Sequence, residues 1–326
     1  MKQETAAGPG VSKKNGLCER MRAFDALNIG YLMFLSVLAL FFMNRVPVWL
    51  PLVAANAVGI FVIVMLTSIR TTSRGSLLCI IRNWYIMPLI FLVFKEVYVI
   101  IQSLNRSDFD YLLIAMDRKI FGGDPTVWLQ QFVSPALTEL LQIAYASYFI
   151  IMLAVGIELY IRNEGERFSG YIFTLMFGFF LSYIGYLLVP AIGPRFTLHN
   201  FATLDQELPG LWLAVPIRHF LNAGESIPDN VANPAFYAQR DVFPSGHTAM
   251  TLVALYFAAK FKLASRWYLY VAGALLIVAT VYLRYHYVVD LFGGVFTMAL
   301  TVAVAPAIIC WWDKKRNCGN ESAAAV

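Results

Sequence analysis

Two histidines and one aspartate in the C-terminal half have a spacing that suits catalysis. His247 ends the run Phe243-Pro244-Ser245-Gly246-His247, and Asp290 follows His286 by four residues. Residues four apart lie on one face of a helix, so the carboxylate can fix the tautomer of the imidazole and stabilise its cation. Histidine acts as a nucleophile or as a general acid, and this pair predicts both roles within one site.

Groups that bind phosphate accompany the histidines. Arg195 ends the run Gly193-Pro194-Arg195, Arg284 stands two residues before His286, and a helix is expected to start at Ser245-Gly246. Amides at a helix start bind phosphate, and the arginine fork complements phosphate oxygens. The sequence therefore predicts phosphoryl transfer. No metal-binding carboxylate cluster accompanies these residues, so we expect neither a metal nor another cofactor.

The composition places this chemistry in a membrane protein. The 326 residues are 59% hydrophobic and only 14% charged, which argues against a water-soluble globule, a disordered chain or a fibrous repeat. A helical span needs about 20 mostly apolar residues. Apolar runs of that kind occur at 27–43, 50–68, 84–101, 139–161, 169–189, 246–262, 267–284 and 290–312. We predict an all-α polytopic protein of about eight transmembrane helices, with the catalytic bundle in the C-terminal half.

The basic residues predict the orientation of these spans. With the N-terminus inside, 16 of the 25 lysines and arginines fall in cytoplasmic segments and 8 in exoplasmic ones, while Lys95 lies in a span. The positive-inside rule then puts both termini in the cytoplasm, and all four histidines on the exoplasmic side. Spans six and seven form an antiparallel hairpin, so the start of one and the end of the other share a depth. His247 and His286 can therefore face each other.

The apolar runs also divide the chain into segments. We predict a cytoplasmic tail (1–26), three N-terminal spans (27–101), an exoplasmic interfacial segment (102–138), a catalytic core (139–312) with an exoplasmic loop at 190–245, and a second cytoplasmic tail (313–326). The interfacial segment mixes Asp110 and Asp117 with apolar residues, as in a helix lying on the membrane surface. The net charge of +5 comes from short clusters between apolar runs, which indicate topology rather than a nucleic-acid partner.

Two motifs resemble those of a known family. Pro244-Ser245-Gly246-His247 and His286-Tyr287-Val288-Val289-Asp290 are similar to the second and third signatures of the type 2 phosphatidic acid phosphatase superfamily, over about 169–310. The resemblance implies that His286 attacks phosphorus, that Asp290 supports it and that His247 protonates the leaving oxygen. Arg195, Ser245 and Gly246 would hold the phosphate. The implied enzyme hydrolyses a lipid phosphate without metal, through a phosphohistidine at the exoplasmic face.

The sequence departs from the family at two cations. The usual lysine seven residues before Arg195 is Leu188, and the usual arginine six before His286 is Thr280. Arg284, Arg240 and Arg218 are the candidate replacements. The stretch 280–287 is more similar to the inositol phosphorylceramide synthase branch, whose members transfer a phospho-headgroup to a lipid hydroxyl, whereas Gly246 is typical of the hydrolases. A phosphotransferase acting on a lipid or sugar hydroxyl is therefore one alternative, and a membrane transporter is another.

The remaining histidines and the charges within or beside spans have a simpler interpretation. His199 and His219 lie in the long loop without a partner at helical spacing, and we expect solvated or structural roles for both. Charged residues within a membrane mark functional sites by default, but structural pairing or placement at the interface is the favoured interpretation here. It applies to Lys95, Glu96, Glu139 and Glu158.

Overall fold

In a computed structural model, the described residues are 20–69, 76–104, 107–228 and 231–322, with side chains described to 316. Every regular element in these ranges is helical, and none is a strand. The α-helices are α1 Ala23–Phe41, α2 Trp49–Ser68, α3 Leu77–Trp84, α4 Ile86–Leu104, α5 Asp110–Phe121, α6 Pro125–Trp128, α7 Pro135–Ala146, α8 Tyr148–Ile161, α9 Gly165–Leu188, α10 Pro194–Thr197, α11 Leu204–Glu207, α12 Ala214–Gly224, α13 Pro234–Tyr237, α14 Gly246–Lys260, α15 Arg266–Tyr282 and α16 Val288–Ser322. The predicted all-α class is confirmed. Six of the basic residues that set the orientation, Lys2, Lys13, Lys14, Arg70, Arg74 and Arg106, lie outside the described residues.

Several helices are long and apolar enough to cross a bilayer, so the chain is a multi-pass membrane protein. Within the described ranges there are five of them: α1, α2, α3 continued by α4, α9, and α16 as far as Arg316. A sixth span forms if α7 and α8, which meet at a 47° bend, are counted together. Each of the eight predicted apolar runs is helical, but the predicted count of eight spans is not confirmed.

Two predicted spans, α14 and α15, are too short to be counted among the membrane-crossing helices; they have 15 and 17 residues. At about 1.5 Å per residue they extend about 22 and 26 Å, less than the hydrocarbon thickness of about 30 Å. The end of α15 and the start of α14 are where the two motif histidines lie. The apolar runs in the sequence extend past the ends of these two helices. The runs are therefore longer than the helices themselves.

Helix α9 is the centre of the bundle. It packs against α1, α4, α8, α14 and α16, and its buried residues include Tyr171, Phe173 and Met176. Helix α14 packs in turn against α8, α9, α15 and α16. Burial of this apolar surface between helices fixes where α14 begins, and this positions the motif that precedes it.

The N-terminal helices are attached to the same centre. The ring of Tyr31 in α1 stacks on Phe180 of α9 with centroids 3.8 Å apart. Below them, Asp25 of α1 is fully buried and accepts from the Arg82 guanidinium at 2.8 and 2.5 Å and from the Tyr85 hydroxyl at 2.7 Å. Removing either charge would leave the other buried and unpaired, which typically costs about 3–5 kcal/mol. This network ties α1 to α3.

Candidate active site

The structure brings the two motif histidines together. His247 lies in the first turn of α14, and His286 lies in the short connection between α15 and α16. The Nε2 of His286 is 3.4 Å from the Nδ1 of His247, and the rings are inclined at 64°. His286 is only 3% exposed. The pair can pass a proton to and from a group held between or beside the rings.

Asp290 lies on the other side of the His286 ring. Its Oδ2 is 3.4 Å from the His286 Nδ1 and accepts from the Tyr287 amide at 2.7 Å, while the carboxylate is fully buried. The Nδ1 of His286 is thus on the carboxylate side, without a hydrogen-bond partner among the described residues. Its Nε2 is on the side of His247.

The start of α14 is attached directly to the start of α16. The Ser245 amide donates to the Asp290 carbonyl at 3.0 Å, and its hydroxyl accepts from the Thr248 amide at 3.2 Å, so Ser245 caps the helix. A side chain on Gly294 would come within 2.7 Å of the Ser245 carbonyl, so the two backbones need glycine there. The Tyr186 hydroxyl lies against Gly246. Ser245 and Gly246 thus directly precede His247 at the start of α14, and none of the hydrogen bonds described for the Ser245 hydroxyl uses its proton.

Arg195 is buried beside this group. Its guanidinium donates to Glu225 and, at 3.3 Å, to the Asn222 amide oxygen, while its Nε has no partner among the described residues. The same group lies 4.6 Å from the centre of the Tyr285 ring. Burial opposes its charge, but the carboxylate of Glu225 outweighs burial and raises the pKa of Arg195 above its usual value. The arginine stays charged and keeps one N–H to offer.

Arg284 lies two residues before His286, and its backbone contacts that of Arg195. Its carbonyl accepts from the Arg195 amide at 3.1 Å, and its side chain is 1% exposed. One Nη donates to Glu207, and the other has no partner among the described residues. A positive φ of 69° turns the chain sharply here. The Arg284 backbone thus contacts the Arg195 segment, while its guanidinium contacts Glu207.

The other candidate arginines are engaged elsewhere. Arg240 donates to Asp108 at 3.0 Å, to Gln102 at 2.8 Å and to the Ala238 carbonyl at 2.8 Å. Arg218 donates to Asp205 and to the Leu208 carbonyl. None of the hydrogen bonds described for either side chain reaches the histidine pair. Of the three proposed replacements for the missing family cations, Arg284 is the one attached to Arg195.

Tyrosines surround His247, and sequence reasoning missed them. The rings of Tyr145 and Tyr148 lie 4.7 and 4.4 Å from its ring centre. Tyr145 also stacks on Tyr285 at 4.2 Å, and the Tyr148 hydroxyl donates to the Gly246 carbonyl at 3.0 Å. The 47° bend between α7 and α8 separates the two tyrosines, so both sides of the bend face the histidine. No motif in the sequence indicated this contact.

Helix α5 supports the site from outside. Asp110 accepts from the Ile192 and Gly193 amides at 2.9 and 2.8 Å and from the Tyr287 hydroxyl at 2.7 Å. Asp117 accepts from the Val288 and Val289 amides at 2.9 and 2.8 Å. The spacing of seven residues, two helical turns, could have indicated a shared inward face. Exposed Tyr111 and Ile120 lie on α5 as well. The helix thus combines an apolar exposed surface with carboxylates that hold the backbone just before Arg195 and just after His286.

Substitution of Asp110 with alanine is expected to loosen this backbone. Three donors lose their acceptor, and a buried unpaired donor costs about 1–3 kcal/mol, so thermal unfolding in detergent should begin at a lower temperature. Hydrogen exchange should rise at the Ile192 and Gly193 amides. The matched control is Asp124→Ala, which removes a surface ion pair with Arg118 that is worth little. Equal stability of the two variants would contradict the supporting role of Asp110.

The charges expected to pair structurally do form contacts of that kind. The Glu139 carboxylate accepts from four successive amides at the start of α12, residues 211–214, and Glu158 accepts from the Ala264 and Ser265 amides. Glu96 accepts from Asn56 at 2.7 Å. Lys95 donates to the Gly224 carbonyl at 2.6 Å and to Ser226, on both sides of the Glu225 that holds Arg195. His199 is hydrogen-bonded to Thr126 and His219 to Asp205.

Sequence comparisons point to one family. The sequence model described as the PAP2 superfamily matches residues 112–304, from within α5 to within α16. A PA-phosphatase related-family protein of Dictyostelium discoideum is 25% identical over 233 residues, which cover 61% of this chain and 39% of the relative's length. No solved structure matches the chain significantly. The matched region contains both histidines of the pair, Asp290, Arg195 and Arg284.

Proposed function

This chain belongs to the PAP2 superfamily of type 2 phosphatidic acid phosphatases, and on that premise we propose that it is a lipid phosphate phosphatase working through a phosphohistidine. Membership and the PA-phosphatase related homologue support a phosphatase-type lipid enzyme in general terms. The observation that carries the finer proposal is the line from Asp290 through His286 to His247, with 3.4 Å at each step. The membrane-embedded bundle supports an acyl-chain substrate lying between helices.

In the first step, the Nε2 of His286 attacks phosphorus. The N–P bond forms as the bond from phosphorus to the lipid oxygen breaks, and His247 gives that oxygen its proton. Asp290 stabilises the positive charge on the His286 ring. In the second step, His247 takes a proton from water, the water oxygen bonds to phosphorus, and the N–P bond breaks to release phosphate. General acid–base help of this kind contributes about 10²–10⁴-fold to a rate.

The groups that we expect to stabilise the transferring phosphoryl group are those whose N–H or O–H makes no described hydrogen bond within the protein. We assign the Arg195 Nε, the second Nη of Arg284 and the Ser245 hydroxyl to its equatorial oxygens. Electrostatic stabilisation is the largest contribution in phosphoryl transfer, because there is little other chemistry for the protein to do. The Tyr186 hydroxyl, which lies against Gly246, would have to move for the Gly246 amide to join them. Arg240 and Arg218 instead form hydrogen bonds with carboxylates and backbone carbonyls away from the histidine pair.

The orientation follows from charge. With more lysines and arginines in one set of connections, we propose that both termini are cytoplasmic and that the histidine pair opens to the exoplasmic side, periplasmic or luminal. The substrate phosphate would then approach from the exoplasmic leaflet. A cysteine-labelling experiment tests this: an impermeant maleimide applied to the exoplasmic face of sealed membranes should label a cysteine introduced at exposed Trp212 and leave one at exposed Lys314 unlabelled. The reverse pattern would contradict the orientation.

The direct test of function is phosphate release from a panel of lipid phosphates by the purified protein in detergent, with a chelator present. We expect release from a phosphomonoester lipid to persist in chelator. Labelled donor with and without candidate acceptors separates water from an alcohol as acceptor. If label moves to a lipid acceptor while no free phosphate appears, the hydrolase proposal fails and the transferase holds. Activity that requires an added divalent metal would contradict the metal-independent step.

The pH dependence of the reaction follows from the burial of His286. Burial first, and then the positive charges of His247 and Arg195, lower the pKa of His286 well below 6.5, although an interaction with the Val242 backbone opposes this. The nucleophile must be neutral. Because a lowered pKa keeps it neutral to a lower pH, kcat/KM should fall on acidification only below pH 6.5.

The measurement is kcat/KM from pH 4 to 9. Asp241 lies near Glu225, the partner of Arg195, and burial together with the Glu225 charge raises the pKa of Asp241 above its usual value; any inflection that arises from this carboxylate should vanish in Asp241→Asn. The acidic limb of His286 should remain in that variant. An acidic limb at or above pH 6.5 that persists in Asp241→Asn would contradict a neutral buried nucleophile.

A further inference from the structure

Helix α12 ends beside Arg195 and presents two partners to it. Asn222 lies in the last turn of the helix, and Glu225 is the residue that follows its end. The Arg195 guanidinium donates to both side chains, at 3.3 Å in the case of Asn222. The position of this guanidinium therefore depends on how the end of α12 is held.

The end of α12 has the hydrogen bonds of a Schellman motif. The Ser226 amide donates to the Ala223 carbonyl, and the Ile227 amide donates to the Asn222 carbonyl, both at 3.0 Å. In this motif the residue after the helix cap is left-handed and is usually glycine. Here it is Ser226, with a φ of 67°. Such a conformation is costly for a residue with a side chain and persists where its surroundings hold it, so the end of α12 needs contacts from outside the loop.

Lys95 of α4 provides contacts of this kind. It lies within the span formed by α3 and α4, where a charge is costly and marks a functional site by default. Its Nζ donates to the Gly224 carbonyl at 2.6 Å and to the Ser226 Oγ at 2.7 Å. The last carbonyls of a helix lack partners within it and carry partial negative charge, so an ammonium group stabilises them. Lys95 thus caps α12 on both sides of Glu225, whose carboxylate it also attracts.

Two other side chains of α4 hold a different part of the same loop. The Tyr98 hydroxyl donates to the Tyr237 carbonyl at 3.2 Å, and the Gln102 amide donates to the Phe236 carbonyl at 2.7 Å. With Lys95, these residues are spaced three and four apart, so all of them lie along one face of α4. That face therefore holds the loop at two places, and the contact with the end of α12 is the one that Lys95 makes.

We propose that Lys95 is a positioning residue for phosphoryl transfer, an inference that rests on the proposed function. By fixing the end of α12 it fixes the Glu225 carboxylate, and Glu225 in turn orients the Arg195 guanidinium toward the phosphoryl group. The charge of Arg195 contributes fully only when it is preorganised on that group. Helix α4 precedes the matched region 112–304, so a helix outside the family domain completes the active site.

The test is a double-mutant cycle on kcat/KM for phosphatidic acid, with the full chain purified in detergent. Lys95→Met removes the ammonium group and keeps an unbranched side chain that fills the space. We expect it to lower kcat/KM about tenfold in the unmodified protein but less than about twofold in Arg195→Ala, because coupled residues are not additive. Lys95→Arg keeps a charged donor and should recover most of the loss.

A lysine that only supported the fold would lower kcat/KM by the same factor in both backgrounds. That result overturns the inference and leaves the proposed function standing. Full activity of Arg195→Ala would overturn the phosphate-binding role of Arg195, and the inference with it. If Lys95→Met fails to fold, Ser226→Ala, which removes only the Oγ acceptor, replaces it in the cycle, with an expected loss of about threefold that disappears in Arg195→Ala.

Tyr98→Phe is the matched control, because it removes one hydrogen bond from the same helix to the same loop. It leaves the contacts around Glu225 in place. We expect its kcat/KM to stay within about twofold of the unmodified value. A tenfold loss in Tyr98→Phe would show that general loosening of the loop is sufficient, and would overturn the positioning role of Lys95.

Discussion

Replacement of His286 with alanine is expected to abolish turnover, with kcat at least about 10⁴-fold below that of the unmodified enzyme. The reason is that Nε2 forms the bond to phosphorus, and the neighbouring His247 faces it through Nδ1 without a carboxylate behind it. Phosphate release from phosphatidic acid, measured over hours at high enzyme concentration, gives the residual rate.

Folding must be separated from chemistry in this comparison, since His286 is buried. His286→Asn keeps a polar group near Asp290 and fills more of the space, so it serves as a second inactive variant. Phe296→Ala changes a 69% exposed residue on the same helix, α16, and should keep full activity. A His286→Asn protein that elutes and melts like the unmodified enzyme, yet retains more than a tenth of its activity, would contradict the nucleophile assignment.

Replacement of His247 with alanine is expected to slow hydrolysis of phosphatidic acid by about 10²–10⁴-fold. The glycerol oxygen is a poor leaving group that needs the proton His247 supplies. A p-nitrophenyl phosphate ester leaves without a proton, so its first step should remain close to normal in this variant. The second step still needs a base for water, and the phosphohistidine should accumulate.

The measurement for this prediction is a stopped-flow trace of nitrophenolate release. His247→Ala should show a burst of about one nitrophenolate per enzyme, followed by a slow steady rate. The matched variant is Tyr148→Phe, which removes the hydroxyl that donates to the Gly246 carbonyl but keeps the ring packed on His247; it should show a far smaller loss. An equal loss on both substrates, with no burst, would show that His247 does not act as the acid.

The sequence was sufficient for the features that depend on short spacing. Asp290 lies four residues after His286, close enough along the chain for the carboxylate to lie beside the imidazole, although His286 precedes the start of α16. The meeting of His247 with His286 follows from antiparallel helices joined by a short connection. Because both relations depend on short separations along the chain and on its connectivity, no knowledge of packing was needed.

Contacts between segments that are distant along the chain could not be predicted from the sequence. Asp110 binds the backbone of residues 192 and 193, and Asp117 binds that of 288 and 289. The sequence indicated only a surface helix here, because it does not show whether an aspartate faces the protein interior or water. The carboxylate partners of Arg195 and Arg284, Glu225 and Glu207, lie in a loop with no regular period to predict their direction.

The number of spans was uncertain for a physical reason. Apolar residues continue through Leu283 and Tyr285, past the end of α15 at Tyr282, because that turn is buried against protein. Hydropathy does not distinguish a residue buried by neighbouring helices from one surrounded by lipid, so the run 267–284 looked longer than the helix. Helix α14 starts at the site and ends at Lys260 after 15 residues, two residues before the end of its predicted run.

The central claim is a covalent phosphohistidine at His286, and trapping it is the most direct test. The His247→Ala protein is mixed with ³²P-labelled p-nitrophenyl phosphate ester, quenched in alkali within the burst, digested and mapped by mass spectrometry. We predict one labelled peptide, containing His286, whose label is stable in alkali, lost in acid and absent from a His247→Ala, His286→Ala double variant. Label on another residue, or a burst of nitrophenolate without any protein-bound label, would contradict the mechanism.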